Sequence, residues 1–270
     1  MSIVYPITFN KNSGTPTPYI PPVGNLVSDF NPALDAFSDA GSTLCVDGDG
    51  VYEWHDQQTT AYFEQTTGSR QPTWRDGVTT PGSNGKAFVD FDGSNDRGIV
   101  ENSSTLWQDD DLSIYIVQDV TSTGSGDIVL GKHTDYYYDD GWTIAMASAN
   151  TRTYVGTGCF ADCNETTGTN GTLNADIRAV RFKSSAVTYQ HNQKVNLTAE
   201  EAGSVDSFSG GFDTPTKDAI MGASYDSGGS PGGFNYDGKI YRILIYNTYH
   251  SDIVRDAIIT GLSTIYGITV

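Results

Sequence analysis

The chain closes on Asp237-Gly-Lys-Ile-Tyr-Arg-Ile-Leu-Ile-Tyr246 and then Asn-Thr-Tyr-His-Ser-Asp-Ile-Val-Arg-Asp-Ala-Ile-Ile-Thr-Gly-Leu-Ser-Thr-Ile-Tyr-Gly267, and this ending constrains the fold most. Asp237-Gly238 is turn chemistry. Ile240 to Tyr246 is apolar on both faces and rich in β-formers, which predicts a strand inside a packed sheet. Ser251 is placed to cap a helix, with Asp252 in its first turn. Val254, Ile258, Leu262 and Ile265 form an apolar stripe, and Gly267 is placed to end the helix. A turn, a buried strand and a short helix in this order argue against a Rossmann-type enzyme or a metallohydrolase.

The rest of the chain predicts strands and turns. Signals recur every ~8–15 residues, the mark of a sandwich. Asp47-Gly-Asp-Gly50 reads as a hairpin turn. Expected strands cover Ala87–Phe91, Leu112–Val117, Asp127–Gly131, Thr143–Met146, Thr151–Val155, Ile177–Phe182, Ala186–Gln190 and Ala219–Gly222. Thirty Gly and sixteen Tyr suit short strands joined by turns, while Lys, Glu and Ala, which fill long surface helices, are scarce. A length of 270 residues allows one large sandwich with an arm, or two small domains. No solenoid or propeller repeat is present.

Residues 1–28 differ. Lys11-Asn-Ser-Gly-Thr-Pro-Thr-Pro-Tyr-Ile-Pro-Pro-Val-Gly24 is proline-dense, and proline fixes φ and removes donors. The stretch reads as an extended arm, either a disordered terminus or a segment that orders on a neighbouring subunit. Residues 2–9 could form one edge strand. The domain boundary is placed at 28/29.

Net charge is −18, carried by 27 Asp and 6 Glu against 15 basic residues. Such a surface repels nucleic acid, which requires basic patches. It serves solubility, with calcium binding as the alternative. No run approaches the ~20 apolar residues of a membrane span. Met1-Ser-Ile-Val-Tyr-Pro-Ile lacks the basic start and apolar core of a secretory signal, so the expectation is synthesis in a host cytoplasm. Three Cys make no disulfide framework; Cys45 reads as a buried small hydrophobe, and Cys159 with Cys163 could close a tight loop. Sequons at Asn102, Asn164, Asn170 and Asn196 carry little weight without a signal.

Catalytic patterns are sparse. Glycoside hydrolysis needs two carboxylates facing a sugar. Glu53, Glu64, Glu101 and Glu165 read as isolated in sequence, and Glu200-Glu201 point to opposite sides of a strand. His55, His133, His191 and His250 are scattered, so no zinc motif forms. There is no Gly-x-Ser-x-Gly elbow and no phosphate loop; Gly228-Gly-Ser-Pro-Gly-Gly233 is a plain flexible loop. The expectation is a non-enzyme.

Binding chemistry concentrates in Asp135-Tyr136-Tyr137-Tyr138-Asp139-Asp140-Gly141-Trp142, which lies between expected strands at the sandwich rim. Aromatic faces stack on sugar rings, and Asp side chains accept sugar hydroxyls directly or through calcium. The alternative is an aromatic loop packing on its own sheet or on a neighbouring subunit. Tyr225 and Asp226 form a second candidate. Asp47-Gly-Asp-Gly50 suggests a calcium loop, but Val51 holds the next ligand position and Asp56 replaces the terminal Glu, so a plain turn is the better reading. Asp92 with Asp96, and Asp109-Asp-Asp111, read as solvated turns. Trp54, Trp74 and Trp107 read as core.

Several runs together resemble the concanavalin A-like (laminin G/pentraxin-type) domains. They are Asp47-Gly-Asp-Gly-Val-Tyr-Glu-Trp-His-Asp-Gln57 with Arg70-Gln-Pro-Thr-Trp74, Phe88-Val-Asp-Phe-Asp-Gly-Ser-Asn-Asp96, and Ala219-Ile-Met-Gly-Ala223 with Phe234-Asn-Tyr-Asp-Gly-Lys-Ile-Tyr-Arg-Ile-Leu-Ile-Tyr246 and the helix. Val187-Thr-Tyr-Gln-His-Asn-Gln-Lys194 is similar to the family's strand and Asn-Gly turn, with Gln193 where Gly is usual. The related endoglucanases carry Glu-x-Asp-x-x-Glu on one strand, which is missing here. The resemblance implies an all-β, antiparallel jelly-roll β-sandwich over residues 29–270, with an extended N-terminal arm and a short C-terminal helix. Such domains recur in phage virion proteins. By that analogy the expected role is a virion structural protein, a capsid decoration or tail-appendage subunit. Its partners would be virion proteins through residues 1–28, cell-surface glycans, and further copies of itself, with no nucleic acid or membrane partner. The alternatives are a free carbohydrate-binding protein and an endoglycosidase.

Overall fold

The computed structural model describes residues 24–80, 82–107, 111–121, 125–133, 141–147, 150–156, 164–169, 175–184, 189–202, 217–226 and 230–270. The described strands are β1 Leu26–Phe30, β2 Ala36–Phe37, β3 Glu53–His55, β4 Tyr62–Glu64, β5 Thr73–Arg75, β6 Phe88–Asp92, β7 Gly98–Glu101, β8 Leu112–Val120 and β9 Ser125–His133. They continue with β10 Gly141–Ala147, β11 Asn150–Gly156, β12 Asn164–Thr169, β13 Ala175–Ser184, β14 Tyr189–Val195, β15 Glu201–Ala202, β16 Ala219–Met221 and β17 Asp237–Tyr246. One helix, α1 Asp252–Tyr266, follows.

Two sheets form the sandwich. One runs β15-β14-β13-β8-β17-β6-β5, with β1 also paired to β17; the other runs β12-β11-β10-β9-β16-β7-β4-β3-β2. Every pair of neighbouring strands is antiparallel. The expected β-sandwich with a short C-terminal helix is therefore the observed fold.

Alternation of side chains fixes which face each residue serves. Trp54, Phe63, Val100, Leu130, Ile144, Ile116, Ile243 and Ile245 meet between the sheets, with Trp107 beside them. β17 is buried on both faces, as its sequence requires. A bulge between Ile240 and Arg242 shifts the alternation by one residue. Ile240 and Ile243 therefore both point inward, while Tyr241, Leu244 and Tyr246 meet the helix.

The helix forms as expected. Ser251 Oγ accepts from the Val254 N–H, and Gly267 closes it in the left-handed region at φ 63°. Ile258, Ile259, Leu262 and Tyr266 are buried on the outer face of the first sheet. Ion pairs fasten it further: Arg181 and Arg255 both reach Glu200 and Asp252, and Lys194 reaches Asp256 at 2.9 Å.

Two expectations change. The polar run expected to turn after Gln190 instead continues as β14 to Val195, paired along its length with β13. Its polar side chains are tolerated because they find partners: Asn192 donates to Tyr249 Oη at 2.9 Å and Lys194 to Asp256. The second change is at the start. β1 opens at Leu26, inside the stretch expected to be an arm, and pairs with β17. Residues 1–23, Cys159 and Cys163 lie outside the described residues. Cys45 is buried, and burial pushes its thiol up to about 12. Trp54 and Trp107 are in the core; Trp74 is half-buried, its indole donating to the Pro32 carbonyl at 2.8 Å. Among the described residues no helix is long and apolar enough to cross a membrane.

Candidate functional site

The helix covers the outer face of one sheet. On the outer face of the other, the half formed by β16, β9 and β10 is closed over: Ile220, His133, Thr143 and Ala145 are buried there, with Tyr225 against Ile220 and His133. The half formed by β2, β3, β4 and β7 is more open, and the candidate site lies on it.

The register builds it. Ala36, Trp54, Phe63 and Val100 point into the core, so their strand neighbours point outward. Pairing places Phe37 opposite Glu53, Glu53 opposite Glu64, His55 opposite Tyr62, and Tyr62 opposite Glu101. The outward rings form a stripe across three strands. Phe37 and His55 have centroids 4.9 Å apart, and His55 and Tyr62 5.3 Å. All three rings are half-buried, so each offers some surface to solvent.

Beside the stripe stand three glutamates. Glu53 is tied to the stripe, its Oε2 lying 2.8 Å from His55 Nε2. Gly41 closes in on this pair: a Cβ there would lie 3.0 Å from Glu53 Oε2, and its φ of 72° already favours glycine. Asp39 shapes the loop that carries Gly41, accepting from the amides and hydroxyls of Ser42 and Thr43. These bonds, led by the Thr43 hydroxyl, hold the Asp39 carboxyl far below its usual range. Among the described residues the side chains of Glu64 and Glu101 have no ion pair or hydrogen bond. Burial, then Asp218 and Glu64, raises the Glu101 carboxyl, and burial, then Glu64, Glu101 and Glu53, raises the Tyr62 phenol. Aromatic faces next to hydrogen-bond-accepting carboxylates can hold a polar ring: the rings take its apolar face and the carboxylates its hydroxyl or amine donors.

This constellation was not read from the sequence. Glu53, Glu64 and Glu101, expected to be isolated, share one face because three short antiparallel strands bring them together. The available signal was weak: Tyr62-Phe-Glu64 and Glu53-Trp-His55 each alternate once around a core aromatic.

The residues expected to bind fare differently. Tyr136, Tyr137, Tyr138, Asp139 and Asp140 are outside the described residues. Trp142 belongs to β10 rather than to a rim loop. Its ring is buried 5.8 Å from Phe182, and its indole N–H donates to the Trp107 carbonyl, so it has no face for a sugar. Tyr225 is buried too. Its hydroxyl donates to the Asp218 carbonyl at 3.0 Å and Lys217 Nζ lies 4.9 Å from its ring centre. It stands next to the open half, since Asp218 and Glu101, after burial itself, hold its phenol above the usual range. Asp226 is exposed and accepts from the Ser230 amide at 2.9 Å.

The turns at residues 47–50 and 92–96 use their own carboxylates to bind their backbone. Asp49 accepts from the Val46 amide, and Asp92 from the amides of Ser94 and Asn95. Among the described residues no group of three or more His, Cys, Asp or Glu is gathered to hold a metal.

No protein-family model and no curated protein matches the sequence. Solved structures do match in fold. The CBM40 carbohydrate-binding module of a Ruminococcus gnavus IT-sialidase, bound to α2,3-sialyllactose, is 12% identical, with a TM-score of 0.50 over 63% of this chain and 95% of that one. The binding domain of botulinum neurotoxin DC, in complex with rat synaptotagmin II, is 10% identical, with a TM-score of 0.54 over 88% of this chain and 52% of that one. A Trypanosoma rangeli sialidase is 13% identical, with a TM-score of 0.52 over 90% of this chain and 34% of that one. At such identities the likeness shows the fold alone, a β-sandwich.

Proposed function

We propose that this chain is a non-enzymatic, lectin-like protein that binds glycans on the open half of its nine-stranded sheet. The observation that carries the reading is the half-buried Phe37–His55–Tyr62 stripe on the outer face of a sheet, flanked by carboxylates. A structurally similar module from Ruminococcus gnavus was solved with a sialyllactose, which supports a sugar-binding use of this kind of sandwich. The proposal extends to place: a structural and adhesion subunit of a virion, docked through its Pro-rich arm and assembled with further copies. The proline density of residues 1–28 and the charge of −18 motivate that part.

Glycan-array binding of the purified protein, with calcium and with EDTA, tests the reading. Binding that falls at least tenfold in both Phe37→Ala and Tyr62→Ala is expected. Specific binding unchanged in both variants, or no binding at all, would overturn it. Deleting residues 1–23, which spares β1, should block incorporation into the particle and leave the sandwich folded.

A second reading has one observation behind it. Glu53 and Glu64 are direct cross-strand neighbours, and paired carboxylates can hydrolyse glycosides. Release of reducing ends from an oligosaccharide, abolished by Glu64→Gln, would replace binding with hydrolysis.

A further inference from the structure

Like charges directly opposite each other across an antiparallel pair destabilise a sheet by a few tenths of a kcal/mol up to ~1 kcal/mol. β3 and β4 nevertheless set Glu53 against Glu64, and β7 brings Glu101 opposite Tyr62 on the same face. Only one of these carboxylates is answered, Glu53 by His55 at 2.8 Å. Glu64 and Glu101 are half-buried, and among the described residues neither side chain has an ion pair or hydrogen bond. Two nearby lysines are committed elsewhere, Lys132 on the core side of its strand opposite Trp142. Lys132 Nζ is buried and donates to the carbonyls of Ser103 and Lys217 at 2.6 and 2.8 Å, and Lys217 Nζ lies over the Tyr225 ring.

We infer that the open face takes a saccharide carrying a free ammonium group, an amino sugar, with the ammonium held between Glu64 and Glu101 over the ring of Tyr62; this rests on the glycan-binding reading above. Charge complementarity selects the ligand. An ammonium supplies three donors to carboxylates that lack any, and an aromatic face attracts it as well. It also offsets the carboxylate repulsion that, second to burial, raises Glu101 and Tyr62. An anionic sugar such as a sialoside would meet three carboxylates instead, and a neutral sugar would leave the repulsion in place. The stripe of rings favours a saccharide over a basic peptide, because stacking on three successive strands matches a chain of flat rings.

The test titrates the full chain with glucosamine oligomers, their N-acetylated counterparts, sialyllactose and an oligolysine peptide. Glucosamine oligomers are expected to bind at least tenfold more tightly than the acetylated forms. Glu64→Gln and Glu101→Gln should each weaken the amine-bearing ligand about three- to tenfold and weaken the acetylated form less, so that the preference between the two narrows. Melting temperatures of the two variants report folding, and Glu64→Gln should melt no lower than the wild type, since it removes a like-charge pair. Equal or tighter binding of the acetylated oligomer or of sialyllactose would overturn the ammonium assignment while leaving glycan binding intact. Oligolysine binding without any saccharide binding would overturn both in favour of a protein partner, and no binding of any probe would overturn both outright.

Discussion

Arg242 and Asp29 form a two-pronged ion pair, Nε donating to Oδ1 at 2.8 Å and Nη2 to Oδ2 at 2.7 Å, across 213 residues of sequence. Asp29 belongs to the first described strand, and Arg242 sits at the bulge of the last. Both are buried. The pair therefore reinforces the β1–β17 ladder beside the point where the alternation of β17 slips. Removing one partner strands the other charge. Asp29→Ala is expected to lower the unfolding free energy by about 3–5 kcal/mol in urea titration. Asp29→Leu combined with Arg242→Met should recover most of that loss. A single variant within 1 kcal/mol of wild type (~1 kcal/mol being the value of an exposed pair) would show that the pair contributes little.

Asp96 predicts a stability that falls as pH rises. Its carboxylate accepts from the Asp92 amide at 2.9 Å, but burial, with Asp92 and Asp90 adding repulsion, pushes it up to about 7. The folded state thus holds a proton that the unfolded chain releases near pH 4, so this contribution is complete below pH 4 and is lost as pH climbs through 7. Asp96→Asn keeps an acceptor and removes the titration. The variant's stability relative to wild type should grow by about 2–4 kcal/mol between pH 4 and pH 8. A difference that stays flat with pH would refute the assignment.

The fold was legible where local signals agreed. Turn, two-faced strand, cap, stripe and C-terminal glycine all lie within thirty-odd consecutive residues, and each mechanism acts over one turn or one strand. The site was not legible because its strands are only two to four residues long. Glu53-Trp-His55 shows half a cycle of alternation, and nothing local says that β7, some forty residues on, will lie beside β4. Trp142 failed for a related reason. Its sequence neighbours are tyrosines and aspartates that suggest a wet rim, yet the pairing of β10 with β9 and β11 decides its face, and that pairing is tertiary. The continuation of β14 past Gln190 was not legible because polar residues at both faces read as a turn until their partners on the helix and its approach are known.

His250 carries the opposite pH dependence. Its Nδ1 lies 2.9 Å from Tyr115 Oη and its ring 4.5 Å from that of Tyr246, just ahead of the helix. Burial first, and Arg181 second, lower it to about 4. The unfolded chain therefore takes up a proton near pH 6.5 that the folded state refuses until about 4. Stability from this group is complete above 6.5 and is lost as pH falls toward 4. The slope opposes that of Asp96 over the same range, so each is read from its own variant. In the Asp96→Asn background, wild-type His250 should cost about 2–3 kcal/mol between pH 6.5 and 4. His250→Gln should flatten that loss in denaturant titrations, and an unchanged slope would sink it.

Two glycines allow the site to be probed without touching a ligand-facing side chain. Gly41 and Gly85 both sit in the left-handed region, at φ 72° and 65°. Alanine is strained at either, by about 1 kcal/mol. They differ in surroundings: a Cβ at Gly85 meets nothing within 4 Å, whereas one at Gly41 lies 3.0 Å from Glu53 Oε2 and 3.6 Å from His55 Cε1. Gly41→Ala must therefore displace the Glu53 carboxylate or the His55 ring, which stands between Phe37 and Tyr62. Both variants should lose similar stability in thermal melts. Only Gly41→Ala should weaken glycan binding, by about three- to tenfold, the 0.7–1.4 kcal/mol of one disturbed contact. Equal binding by the two variants would mean that ligands bind away from the β2–β3–β4 half of the sheet.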